Sequence, residues 1–232
     1  MIDPLLHSVT ALVTGGPTYE PIDPVRFIGN RAQGKQGQAI AAALAAMGAR
    51  TTLVMGPTTL PDVDGVVTVH VETAREMLAA CRAHLPVTVL VCTAAVADWR
   101  VDEESMSKLK KDGQGPPVLR LVENPDILRT LSQPGPDRPR LCIGFAAETE
   151  DVVEQAVAKR ERKGCDWILA NDVSPANAVP GVFGGDWNRV TLITPAGIEP
   201  WPVITKVEIA RRLVARIASH LDGRVPCTPP PG

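Results

Sequence analysis

The sequence has no charge bias to speak of. Its 24 lysines and arginines stand against 26 aspartates and glutamates, a formal net charge of −2. Bulk attraction to nucleic acid or to an anionic membrane is therefore not expected, and an anionic ligand must be held by a local cluster of donors. Long apolar runs are missing as well. The longest, residues 39–47, is alanine-rich and far short of the roughly 20 residues that span a bilayer. Residues 1–9 lack the basic-then-apolar layout of a secretory signal, so the cytoplasm is the expected compartment. The five cysteines (Cys81, Cys92, Cys142, Cys165 and Cys227) include no CxxC pair, and an odd count speaks against a disulfide framework. The four histidines, His7, His70, His84 and His220, show neither HxxxH nor HExxH spacing. A structural zinc site and a histidine-driven nucleophilic mechanism are both disfavoured on that pattern.

What is present is ample apolar character, 44% of 232 residues. That suits one large α/β domain with a proper core. We expect the domain to occupy residues 1–222, with residues 223–232, which hold four prolines, as a disordered tail. Apolar strand-like runs at residues 11–14, 51–55, 66–71, 87–94, 120–122, 141–147 and 167–170 alternate with helical stretches. The helices are expected at residues 35–47, ended by Gly48, at 74–84, at 150–163, ended by Gly164, and at about 206–220. Thr73 with Glu76, and Thr205 with Glu208, have capping-box spacing. Asn124 followed by Pro125 has the form of an N-cap with proline at the first helical position. Residues 190–204 suggest a β-hairpin turning near Pro195 and Gly197. The alternation predicts a doubly wound, mostly parallel, Rossmann-like sheet with a hairpin added near the C-terminus. Ligands should gather at the carboxyl ends of its strands. Unusual loops follow Thr14, Ala94, Val122 and Phe145 at those ends.

The first such loop, residues 15–34, is long for a compact domain, and loops of that length are usually functional. Gly15 and Gly16 permit backbone amides to face an anion closely. The loop also carries Glu20, Asp23, Arg26, Asn30 and Arg31, with Lys35 just after it. It is not a GxGxxG fingerprint. Residues 29–35 fit GxxxxGK, but Gln36 stands where a P-loop needs serine or threonine. In Cys92-Thr-Ala-Ala-Val-Ala-Asp-Trp-Arg100 the small residues admit a planar ligand to the backbone, and Asp98 can accept from a ribose, although it could equally cap a helix. Ser107-Lys-Leu-Lys-Lys111 is the kind of run that is usually solvated surface. Beside a nucleotide site it can instead close on phosphates and neutralise developing charge. Glu123-Asn-Pro-Asp-Ile-Leu128 opens a helix whose amides can face a ligand. Phe145 is more ordinarily core than a stacking platform. Lys159 and Lys163 complement a helix dipole, and being four apart they also share one face that could reach a base carbonyl.

Taken together and in order, these segments resemble phosphopantothenate–cysteine ligase (phosphopantothenoylcysteine synthetase) of the bacterial CTP-dependent type. The resemblance covers about residues 11–221. It is carried by Thr14-Gly-Gly-Pro-Thr18 with Glu20, Ile22-Asp-Pro-Val-Arg-Phe-Ile28, Ala94-Ala-Val-Ala-Asp-Trp-Arg100, Lys108-Leu-Lys-Lys111, Asn124-Pro-Asp-Ile127, Gly144-Phe-Ala-Ala-Glu-Thr149 and Ala170-Asn-Asp-Val173. The resemblance implies a ligase of coenzyme A biosynthesis that condenses 4'-phosphopantothenate with cysteine through an acyl-cytidylate. It uses CTP with Mg²⁺ and releases pyrophosphate and CMP. The implied nucleotide site comprises Gly15 and Gly16, then Cys92, Thr93 and Ala94, with Asp98 on the ribose and Lys108 at the phosphates. Pro125, Asp126, Ile127 and Leu128 follow in the third loop, and Phe145, Lys159 and Lys163 complete the surround. Asn30, Lys108 and Arg26 are the implied catalytic set, and no metal ligand is assigned.

The family implies a homodimer whose pantothenate pocket lies near the subunit interface. In many bacteria it also implies fusion to a flavin-dependent decarboxylase. One departure stands out. Where bacterial relatives have Asn-x-Ser-Ser-Gly-Lys-x-Gly, this chain has Asn30-Arg-Ala-Gln-Gly-Lys-Gln-Gly37, so two hydroxyls are replaced by Ala32 and Gln33. The same ligase using ATP, a nicotinamide-dependent reductase and a non-catalytic nucleotide-binding subunit are the competing readings.

Overall fold

The computed structural model describes residues 6–111, 115–173 and 185–223. The tail expected from residue 223 onward lies outside them beyond Gly223. The first half of the chain runs through β1 (Thr10–Gly15), β2 (Tyr19–Asp23), β3 (Arg26–Gly29), α1 (Lys35–Ala46), β4 (Arg50–Met55), β5 (Val67–His70), α2 (Ala74–Ala83) and β6 (Val89–Cys92). It continues through β7 (Trp99–Val101), β8 (Leu121–Glu123), α3 (Ile127–Leu131), β9 (Leu141–Glu148), α4 (Val152–Lys163) and β10 (Trp167–Asp172). It closes with β11 (Trp187–Asn188), β12 (Val190–Thr194), β13 (Gly197–Pro200), β14 (Ile204–Thr205) and α5 (Lys206–Leu221).

Eight strands form the main sheet in the order β13-β12-β10-β9-β6-β1-β4-β5. From β10 to β5 every pairing is parallel, whereas β12 and β13 add an antiparallel hairpin at one edge. Counted in chain order, the parallel strands lie 3-2-1-4-5-6, the arrangement of dinucleotide-binding folds. The order reverses between β1 and β6, the switch point beside which ligands bind in such sheets.

Side chains along the central strands alternate between two cores, as period-two geometry requires. Ala11, Val13, Val89, Val91, Leu141, Ile143 and Leu169 face the layer made by α1 and α5. Leu12, Leu90, Cys142 and Ile168 face the opposite layer, made by α2, α3 and α4. In α5 the apolar residues Ile209, Leu213 and Ile217 recur on one stripe and are fully buried.

Three expectations need correction. Residues 15–34 are not an irregular loop, because β2 and β3 pair antiparallel within them. Tyr19 stacks on Phe27 at a centroid distance of 3.9 Å, which fixes the hairpin without a large core. Asn124 is not the N-cap of α3. That position is Asp126, whose side chain accepts from the Arg129 amide at 3.0 Å. Asp126 sits two residues further on, directly before α3, and the Asn124 side chain donates instead to the Ala97 carbonyl at 2.8 Å. The loop after Val122 also leaves a separate two-stranded sheet, β7 with β8, and not the main sheet. The capping box at Thr73 and Glu76 forms as expected. Thr205 caps α5, while Glu208 pairs with Arg212.

Candidate active site

The two loops at the switch point are bound to each other before any ligand is considered. Leaving β6, the Thr93 hydroxyl donates to the Thr14 carbonyl at 2.7 Å and the Ala95 amide to the Gly16 carbonyl at 2.9 Å. Thr18, fully buried, accepts from the Ala97 amide at 2.9 Å. The carbonyls that follow are held from outside the loop. Asn30 Nδ2 donates to Ala95 and Val96, each at 3.1 Å, and Asn124 Nδ2 donates to Ala97 at 2.8 Å. The Asn124 amide takes the Asp98 carbonyl at 2.9 Å. In an irregular, partly buried segment beside a sheet, such bonds take the place of a strand partner. Asn30 and Asn124 do so from two different elements, which makes the small-residue run 94–98 a fixed wall.

That wall bounds a cavity of about 680 Å³ at the carboxyl ends of the strands. Its other sides are formed by Cys92, by Glu123 to Leu128 at the start of α3, by Phe145 and Ala147 of β9, and by Lys159 and Lys163 of α4. Asn30, Arg31 and Ala32 close it from the hairpin side. Each lysine is paired with a carboxylate: Lys159 donates to Glu148 at 3.2 Å, and Lys163 donates to Asp126. An ammonium has three donors, so each pair leaves donors for a ligand.

A smaller cavity of about 200 Å³ adjoins it and shares Arg31, Ala32, Ala94 and Phe145. Here residues 34–37 at the N-terminus of α1 meet Gly16, Thr93, Asn171, Asn188 and Lys206. The approach of α1 to β1 is close. A Cβ on Gly37 would lie 2.6 Å from Thr93 Oγ1 and 2.9 Å from Gly15 Cα. Gly16 and Gly34 have φ of +77° and +83°, where L side chains are strained. Lys35 donates to Asp186 at 2.7 Å, and Lys206 donates to the Gly185 carbonyl at 2.6 Å. Burial, and secondarily the charge on Lys35, pushes the Lys206 ammonium below its ordinary pKa. Gln36 Oε1 and Asn171 Oδ1 are buried without a hydrogen-bond partner among the described residues. The cavity thus combines cationic side chains and a helix N-terminus, which favour an anionic group, with acceptors that want a donor.

Most of the residues expected from sequence line one cavity or both. Asn30, Cys92, Ala94, Asp98, Phe145, Lys159, Lys163 and residues 125–128 line the larger, while Gly16 and Thr93 line the smaller. Three do not. Gly15 lies packed against α1 and accepts from the Gly56 amide at 2.9 Å. Arg26 and Lys108 line neither cavity. Arg26 is bonded to Asp23 and to the Leu109 carbonyl, and Lys108 is exposed. Asn188 and Lys206 escaped the sequence reading. Asn188 belongs to a two-residue strand, and Lys206 read as an ordinary first residue of a capped helix. Asn171 is marked in the sequence only by its place in the Ala170-Asn-Asp-Val173 motif.

Burial pushes the thiols of Cys81, Cys92, Cys142 and Cys165 up, Cys81 to about 12 and Cys165 to about 11. All four stay protonated near neutrality, and none is suited to attack as a thiolate. Among the described residues, no group of three or more His, Cys, Asp or Glu is arranged to hold a metal ion.

Comparison with known proteins fits this geometry. The family model described as "DNA/pantothenate metabolism flavoprotein C-terminal domain" matches residues 6–221. The chain belongs to this family. It is 40% identical over 222 residues to the coenzyme A biosynthesis bifunctional protein CoaBC of Mycobacterium tuberculosis strain H37Rv, covering 91% of this chain and 52% of that protein. It is also 40% identical over 220 residues to CoaBC of Escherichia coli strain K12, covering 94% and 53% respectively. The crystal structure of the C-terminal domain of a CoaBC superposes with a TM-score of 0.79 at 38% identity, over 95% of this chain and 99% of that one. The chain thus spans about half the length of the curated relatives it matches. The resemblance drawn from the ordered motifs holds at the level of family and fold.

Proposed function

We propose that the chain is the phosphopantothenate–cysteine ligase of coenzyme A biosynthesis and that it uses CTP. The observation that carries this reading is the pair of adjoining cavities at the switch point of the sheet. One has a backbone-rich wall, a carboxylate at Asp98 that can accept hydrogen bonds from a ribose, and lysines in its lining. The other is a cationic pocket at the start of α1. A nucleoside triphosphate suits the first. An acid bearing a phosphate, together with hydroxyl or amide donors for Gln36 and Asn171, suits the second. The retained Lys35 and the nearby Lys206 compensate there for the hydroxyls that Ala32 and Gln33 lack.

In this reading the carboxylate of 4'-phosphopantothenate attacks the α-phosphorus of CTP and pyrophosphate leaves. The cysteine amine then attacks the acyl carbon of the mixed anhydride, CMP leaves with the bonding electron pair, and the nitrogen loses a proton. Neither step requires a protein nucleophile, which suits a site whose thiols are neutral and whose lining includes no histidine. Positioning and charge stabilisation supply the rate. Asn30 orients the anhydride, and Lys108 offsets charge on the phosphates. Magnesium, which keeps few protein ligands and binds substrate phosphates, would enter with the nucleotide and supply charge neutralisation there.

The same reading makes the protein a homodimer. Phe27 on the β2–β3 sheet and Trp99 and Leu121 on the β7–β8 sheet are about half exposed and would offer apolar surface to a second copy. The other half of the bifunctional relatives corresponds here to a flavin-dependent decarboxylase that takes the product.

The test is pyrophosphate release with CTP, ATP or UTP, with and without 4'-phosphopantothenate. We expect release only when the acid is present, with CTP strongly preferred. Equal rates with ATP would overturn the nucleotide assignment, and no release with any nucleotide would overturn the enzyme. Micromolar NADH binding would restore the reductase reading. Light scattering at assay concentration should give twice the monomer mass.

A further inference from the structure

One carboxylate joins the first small hairpin to the segment that carries the lysine run. Asp23, at 2% exposure, closes the turn between β2 and β3. Its Oδ1 accepts from the Val25 amide at 2.8 Å and the Arg26 amide at 3.0 Å. Its Oδ2 accepts from Arg26 Nε at 2.9 Å and from the Leu109 amide at 3.1 Å. The same guanidinium donates to the Leu109 carbonyl at 2.8 Å. Both backbone polar groups of Leu109 are therefore taken by the Asp23–Arg26 pair, as a neighbouring strand would take them. Upstream, the Ser105 amide donates to the Ile22 carbonyl at 3.0 Å, a second tie to the same hairpin.

Residues 105–109 lie in no strand or helix, so these bonds are what order them. The ordering matters because Lys108 immediately precedes the clamped residue. A lysine on a free segment loses much conformational freedom each time it engages a phosphate, whereas one on a fixed backbone has only its own rotamers to restrict. Three of the five Arg26 donors, on Nε and one terminal nitrogen, are engaged in the clamp, and neither cavity includes the residue.

We propose that Asp23 and Arg26 are positioning residues, clamping the Leu109 peptide and with it the backbone from which the Lys108 side chain reaches the phosphates, and that Arg26 acts through this clamp without touching substrate. The proposal rests on the ligase reading above, but its structural half is testable without catalysis.

The experiment combines amide hydrogen exchange with a double-mutant cycle on the full chain. Exchange at the Leu109 amide should quicken at least about tenfold in Asp23→Asn and Arg26→Ala, because breaking a hydrogen bond of about 1.4 kcal/mol changes the opening equilibrium by that factor. Should Asp23→Asn fail to fold, Arg26→Ala, whose side chain is 45% exposed, carries the test. In pyrophosphate release, Arg26→Ala should lower kcat about tenfold or more and leave the KM for CTP nearly unchanged. Combined with Lys108→Gln, it should cost no more than Lys108→Gln alone, since both act through one ammonium. Unchanged exchange at Leu109 would overturn the clamp. Losses that multiply in the double variant, or a loss in Arg26→Ala confined to KM, would mean that Arg26 meets substrate directly, and would overturn its assigned role. A wild-type protein that releases no pyrophosphate would instead remove the ligase reading, while the exchange result would still decide the clamp.

Discussion

Lys159 of α4 donates to Glu148 at the end of β9 across 3.2 Å, so one of the two lysines lining the larger cavity is paired with a carboxylate next to the lining residue Ala147. Both side chains are about one-quarter exposed, which makes the pair partly screened and its own stabilisation modest. Its consequence is for binding. In Lys159→Met, Glu148 would stand beside the nucleotide site without its counter-charge. A lost charged hydrogen bond of about 1.5–3 kcal/mol corresponds to roughly a tenfold to hundredfold weaker KM for CTP, with kcat little altered. Adding Glu148→Gln should recover part of the loss. An unchanged KM would remove Lys159 from the nucleotide site.

The two half-reactions should separate by variant. Lys108→Gln keeps length and removes charge, and the loss of one preorganised donor, about 3 kcal/mol, predicts roughly a hundredfold slower formation of the acyl-cytidylate. Asn30→Asp should form the intermediate and then stall, because a carboxylate beside the anhydride cannot orient it as the amide does. The same change deletes both bonds to Ala95 and Val96, so the wall should loosen and CTP should bind more weakly as well. Rapid quenching followed by mass spectrometry measures the intermediate. Normal turnover of cysteine by Asn30→Asp, or wild-type accumulation by Lys108→Gln, would reverse these roles.

Gly37→Ala should destabilise the fold even though alanine is the better helix former. The propensity gain is about 1 kcal/mol. Against it stands a Cβ only 2.9 Å from the Gly15 backbone and 2.6 Å from Thr93 Oγ1, an overpacking that typically costs about 1–3 kcal/mol. Steric cost prevails because backbone, unlike a flexible side-chain end, cannot step aside. Thermal unfolding should show a lower Tm than wild type, and a raised Tm would mean that α1 can shift away from β1.

Acid should weaken the clamp in a defined window. The Arg26 guanidinium, foremost, and amide donors hold the Asp23 carboxyl well below the usual carboxylate range, against the opposing effect of burial. A depressed native value means that the stabilisation is fully present above the unfolded pKa of about 3.9 and is lost as pH falls from there toward the native value. The Tm difference between wild type and Asp23→Asn should stay constant from about pH 8 to about pH 5 and shrink below about pH 4. A gap that grows on acidification would contradict the assignment.

Much of the fold was legible in the linear order of residues because the signals were local. The capping box at Thr73, the helix stops at Gly48 and Gly164 and the continuous apolar run of β6 each report a short-range preference. The ordered motifs also marked most of the cavity lining, since a parallel sheet brings every strand's carboxyl end to one edge. The β2–β3 hairpin was missed because the prolines and glycines in it read as loop, and what holds it is the stacking of Tyr19 on Phe27. Asn124 was misread for a related reason. Its side chain can cap a helix locally, but the carbonyl of Ala97, 27 residues earlier in the chain, is the acceptor it takes.

By itself, then, the sequence determined the alternation of strands and helices, the doubly wound sheet and the identity of most groups at its active edge. These follow from propensity, capping and hydrophobic period, all of which act within a few residues. Only the tertiary structure decided that Asn30 and Asn124 brace one wall, that Lys159 and Lys163 are paired with carboxylates, and that Lys206 joins Lys35 beside α1. It also decided that Arg26 is spent on Asp23 and Leu109. Each of these choices is a competition among hydrogen-bond partners far apart in the chain. Which partner wins depends on distances that exist only after the sheet has formed.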